Sequence, residues 1–69
     1  MKLVINGEPQ TLTLEPACVT TVLDHFKLKP DHVSVELNGS WYQKKTFRRL
    51  AVSDGDVLEI VHFVGGGER

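Results

Sequence analysis

The sequence predicts an α+β domain: a mixed sheet of four to five strands with one main helix packed across one face. Three observations lead there. Residues 10–14 and 32–37 alternate polar and apolar, the period of a half-buried strand. Asn6-Gly7, Asn38-Gly39 and Asp54-Gly55 punctuate β-forming runs with dipeptides that accept positive φ and suit tight turns. Between Pro16 and Pro30, Val19, Val22, Leu23 and Phe26 recur at spacings of three and four, one apolar face of a single helix.

Lys2 to Ile5 is rich in β-formers, and with Gln10 to Leu14 across the Asn6-Gly7 turn it makes a hairpin. Pro16 ends the second run, because it lacks the N–H a strand ladder needs. Thr20 or Thr21 is the expected helix cap, its hydroxyl accepting from an early unpaired N–H, with Asp24 three residues after Thr21 as a weak capping-box variant. Pro30 stops the helix. In His32 to Leu37, Val33, Val35 and Leu37 share a face, while Ser34 and Glu36 point away. After Asn38-Gly39, Trp41-Tyr42 starts a short strand. The polar stretch Gln43 to Arg49 forms a loop or a single helical turn, with Phe47 and Leu50 tucked inward. Following the turn at Ser53 to Asp56, residues 57–64 form the most apolar run of the chain. They are expected to be a central strand buried on much of both faces. A single helix across one face of this sheet is the simplest way to cover the apolar positions, and that arrangement is the ubiquitin-like β-grasp.

Size and charge limit what such a domain can do. The chain has 69 residues, and a domain this small buries only about 60% of the surface its unfolded chain would expose. Little material is left to wall a ligand pocket of ~300–1,000 Å³, which counts against a self-sufficient enzyme. With 8 Lys and Arg against 9 Asp and Glu, the chain lacks the basic excess of a nucleic-acid binder. The cluster Lys44, Lys45, Arg48 and Arg49 is expected to be a solvated face. The single cysteine, Cys18, fits a reducing cytoplasmic setting and reads as a small buried residue. No apolar run approaches the ~20 residues of a membrane span, and residues 1–7 do not form a signal peptide.

Other residues carry no chemical expectation. His25, His32 and His62 lack the close spacing of metal ligands and are expected at the surface, so no metal site is expected. Asp54 and Asp56 flank Gly55 and are expected to shape its turn. Gly65-Gly66-Gly67 is no phosphate loop, since no Lys-Ser/Thr and no helix follow. Trp41 and Tyr42, adjacent in a strand, point to opposite faces, so one is exposed. An exposed aromatic there either contacts a partner or covers the end of the core.

Four stretches, taken together, resemble the ThiS family of thiamin sulfur carriers: Lys2 to Glu8, Val33 to Gly39, Leu50 to Glu59 with its Asp54-Gly55-Asp56, and Glu59 to Gly67. The segment Gly39 to Arg49 departs from the family pattern, with Trp41-Tyr42 where a Val-Pro pair is common. The resemblance implies a carrier, not an enzyme, and a monomer that binds no cofactor itself. Residues 1–64 would form the β-grasp domain and 65–69 a flexible tail. A ThiF-like activating enzyme would use ATP to adenylate the terminal glycine, Gly67 or alternatively Gly66. A cysteine desulfurase would supply persulfide sulfur, and the resulting thiocarboxylate would donate it to thiazole synthase. Related readings are a carrier of another pathway, such as the small subunit of molybdopterin synthase, a protein modifier, or a β-grasp interaction module whose tail does no chemistry.

Glycine suits the tail. Gly65, Gly66 and Gly67 lack Cβ atoms and can thread a narrow channel into a partner's active site. Ordering them costs about 1–2 kcal/mol per residue, which a docking surface on the body could offset. If Leu58 and Ile60 face the helix, then Val61 and Phe63 face out, and with Val64 they form a candidate partner-binding patch unless a loop covers them. Glu68-Arg69 stands in the way, because two extended residues displace the terminal carboxylate by about 7 Å. Removal by a processing peptidase is expected. The other possibilities are that these two residues are foreign to the natural chain or that the carrier role has been lost.

Overall fold

The structure is a computed structural model and describes residues 1–63. The strands are β1 (Lys2–Ile5), β2 (Glu8–Thr11), β3 (Val33–Leu37), β4 (Ser40–Tyr42) and β5 (Val57–His62), and the one α-helix described is α1 (Val19–His25). Two 3-10 turns, Pro30–His32 and Lys44–Arg49, complete the elements. The sheet runs β2-β1-β5-β3-β4. β5 is parallel to β1, and the remaining pairs are antiparallel. This is the expected mixed sheet with one main helix.

The core lies on one face of the sheet. Leu3 and Ile5 of β1, Val33, Val35 and Leu37 of β3, and Leu58 and Ile60 of β5 are buried there against Val19, Val22 and Leu23 of α1. Phe47, from the second 3-10 turn, closes the core at 1% exposure, so the polar stretch around it is anchored by one aromatic ring. Leu50, Tyr42 and Phe26 are partly buried against the same cluster.

Three local expectations are corrected. The second strand begins and ends earlier, at Glu8–Thr11 instead of 10–14, because the two-residue turn sets Ile5 opposite Glu8. Leu12 and Leu14 are nonetheless buried beyond its end. The helix starts at Val19, ahead of both threonines, and its N-cap Cys18 makes no side-chain capping bond. The Val19 N–H is instead satisfied by the Leu50 carbonyl at 2.9 Å, beside a one-residue bridge between Cys18 and Ala51. A neighbouring backbone segment thus replaces the cap. Finally, β5 is central but buried on one face only: Val57, Glu59 and Val61 are exposed, because one helix covers one side of the sheet.

Candidate functional site

Strand β5 leads from the middle of the sheet into the C-terminal residues. It pairs with β1 at Val57 and Leu58 and with β3 from Leu58 to His62, where Val33 faces His62. The Phe63 N–H adds one more bond, to the His32 carbonyl at 2.9 Å. β1 stops at Ile5, and beyond it the side chain of Asn6 takes over the pairing. Its Oδ1 accepts from the Ile60 N–H at 2.7 Å, and its Nδ2 donates to the Ile60 carbonyl at 3.2 Å.

Asn38 does the same on the opposite edge, at the start of the strand. Its Oδ1 accepts from the Val57 N–H at 2.9 Å, its backbone N–H donates to the Val57 carbonyl at 2.8 Å, and its Nδ2 donates to Asp56 at 3.0 Å. Both asparagines have positive φ, 53° and 51°, a conformation Asn tolerates better than most residues. Each Asn-Gly turn therefore has two functions: it reverses the chain and clamps the strand that carries the tail. The dipeptides are legible as turns, but the clamping depends on register and is invisible in the sequence.

The turn before β5 is built by its carboxylates, as expected. Asp54 accepts from the Lys2 backbone N–H at 2.6 Å, and Asp56 accepts from the Ser53 N–H at 2.8 Å. Gly55, at φ 92°, donates its N–H to the Lys2 carbonyl at 2.7 Å.

Of the candidate patch, Val61 and Phe63 are exposed at 46% and 47%, and no loop among the described residues covers them. Val64, the glycines Gly65, Gly66 and Gly67, and Glu68 and Arg69 lie outside the described residues. Trp41 is the exposed member of the aromatic pair, and Tyr42 turns toward the core.

The remaining candidates fall elsewhere. His32 and His62, 30 positions apart in sequence, meet edge to face with ring centroids 6.3 Å apart. This is a proximity that sequence spacing did not suggest. Among the described residues no group of three His, Cys, Asp or Glu is placed to hold a metal ion. Cys18 is buried. Burial raises its thiol pKa, but hydrogen bonds from the Thr21 side chain and backbone and from the Thr20 backbone outweigh this and lower it overall. In the basic cluster, Lys44 pairs with Asp31 across the two 3-10 turns. Its hydrogen bond and charge hold the Asp31 carboxyl below the usual range. No helix among the described residues is long and apolar enough to cross a membrane.

A five-stranded mixed sheet with one main helix across one face and a clamped central strand defines the class of ubiquitin-like β-grasp domains. The model of the ThiS family matches residues 3–67, and the chain belongs to that family. A crystal structure of the thiamine biosynthesis protein (ThiS) from Geobacter metallireducens superposes with a TM-score of 0.79 at 38% identity, covering 97% of this chain and all of that one. The sulfur carrier protein ThiS of Bacillus subtilis is 34% identical over 65 residues, 94% of this chain and 98% of that protein. A thiazole synthase from Paramagnetospirillum magneticum is 42% identical over 67 residues, which are 97% of this chain but 20% of that protein. The chain thus spans about a fifth of that relative, and 21% of a second thiazole synthase, from Magnetococcus marinus.

Proposed function

We propose that this chain is a sulfur carrier of thiamin biosynthesis, working in the cytoplasm as a protein co-substrate and not as an enzyme. The observation that carries this reading is its similarity to a protein named as a sulfur carrier over nearly the whole length of both chains. The family match runs to residue 67, so it includes the three glycines.

In this reading the terminal carboxylate of Gly67, or of Gly66, attacks the α-phosphate of ATP on a ThiF-like activating enzyme and pyrophosphate leaves. The outer sulfur of a cysteine persulfide, formed by a cysteine desulfurase, then attacks the acyl carbon and AMP leaves. A second cysteine thiol cleaves the resulting acyl disulfide, ending in a disulfide with the persulfide's cysteine, and the freed thiocarboxylate delivers sulfur to thiazole synthase. Processing of Glu68-Arg69 precedes activation, because activation needs the glycine carboxylate. ATP belongs to the activating enzyme, and this chain binds no cofactor of its own. Thiazole synthases that contain a stretch similar to this chain support the choice of acceptor. Joining carrier and acceptor in one chain raises their effective concentration without new contacts.

In this reading a protein that takes up the tail approaches the sheet where Val61 and Phe63 are exposed, with Val64 next in sequence as the third residue of the candidate patch. Deleting Gly66-Gly67 tests the reading. The expected result is loss of sulfur transfer to thiazole synthase with an unchanged melting temperature. Retained transfer would contradict the reading, and so would a cooperative loss of stability, which would make the tail part of the fold.

A further inference from the structure

The outer face of the sheet, opposite the helix, carries an arrangement that folding does not explain. In the β5–β3–β4 register, Glu59 faces Glu36 and Glu36 faces Trp41. All three belong to the face away from the core, since their strand neighbours Leu58, Ile60, Val35 and Leu37 are buried. Directly opposed residues on neighbouring strands have Cβ atoms about 4.5–5.5 Å apart, and like charges in that position are unfavourable.

Neither glutamate has a cationic partner among the described residues, where the one ion pair is Lys44 with Asp31. The five strands contain one Lys or Arg, Lys2. With Val4 level with Val57, Lys2 lies four residues along the sheet from the level of Glu59, about 13 Å at ~3.3 Å per residue. The indole at the end of the row is the chain's single tryptophan and is 56% exposed. Exposed Val61 and Val57 sit on either side of Glu59 along β5.

We propose that the row Glu59–Glu36–Trp41 is a receptor for an arginine that the tail-accepting protein presents on an apolar surface. A planar guanidinium can donate to both carboxylates at once and lie against the indole face. The surrounding valines and Phe63 then meet apolar side chains of the same partner. A docked arginine relieves the repulsion between the two carboxylates, so the cost held in the free domain is released on binding. This deepens the proposed function and rests on it for the identity of the partner.

The lone tryptophan makes a direct test possible. The chain is labelled with 5-fluorotryptophan and its single fluorine resonance is followed during titration with unlabelled thiazole synthase from the same source. The wild-type resonance is expected to move, and its affinity to fall with added salt. Glu36→Gln combined with Glu59→Gln is expected to weaken binding by tenfold or more and to flatten the salt dependence. Glu36→Arg is expected to abolish binding. The free variants carrying glutamine should melt at or above the wild-type temperature, which separates lost docking from lost folding.

A wild-type resonance that does not move, or variants that bind as wild type does, would overturn the receptor. If those variants also carry and transfer sulfur normally, the carrier reading survives without it. A wild-type chain that binds through the row yet never gains sulfur would keep the receptor and remove the carrier reading.

Discussion

The two faces of β5 follow opposite rules. Leu58 and Ile60 point into the core, at 0% and 9% exposure, while Glu59 and Val61, their immediate neighbours, stand in water. Strand alternation makes this possible, since successive side chains project to opposite sides. On one face, close packing against α1 and Phe47 leaves little tolerance for change. On the other, two opposed carboxylates and several exposed apolar side chains do little for the free domain. In a chain this small, one strand serves the fold on one side and, in the proposed reading, recognition on the other.

Substitutions on the two faces should differ in what they cost. The largest effect belongs to the core face. Leu58→Ala should cost about 2–5 kcal/mol, a large share of the ~5–15 kcal/mol that keeps a domain folded, and urea melts should register it as partial or complete unfolding. Next comes the clamp. Asn6→Ala removes both side-chain bonds to Ile60 and places alanine at a φ of 53°. A loss of about 2 kcal/mol is expected, read from the same melts.

On the outer face, Val61→Ala should leave stability within about 0.5 kcal/mol of wild type while slowing sulfur transfer to thiazole synthase. A Val61→Ala protein that unfolds as readily as Leu58→Ala would erase the distinction between the faces.

The smallest effect concerns Asp31, whose exposed pair with Lys44 lies at the surface. Its carboxyl pKa is lowered in the folded state. Its contribution is therefore present above the ordinary carboxylate range and is lost as pH falls through the lowered value. Asp31→Asn should melt slightly below wild type at neutral pH, and the difference should vanish in strong acid.

Much of this organisation is legible in the sequence. Alternation in Val33 to Leu37 gives a strand and its inward face, and Asn-Gly and Asp-Gly mark turns that exist. What escapes depends on contacts between distant segments. Val57, Val61 and Phe63 are apolar, so β5 reads as buried on both faces, and only the single helix covering a single face leaves them exposed. Thr20 and Thr21 look like caps because those side chains often are. The helix instead starts at Val19, where the Leu50 carbonyl already takes the first N–H. The opposition of Glu36 to Glu59, and the meeting of His32 with His62, require strand register, which no local pattern encodes.

The assignment as a carrier stands or falls on the chemistry of the terminus, and intact-mass measurement of the protein from its own cells reads it directly. The expected result is loss of Glu68-Arg69 and then, with activating enzyme, ATP and a sulfur donor, replacement of one C-terminal oxygen by sulfur. A chain that keeps both residues and never gains sulfur would contradict it.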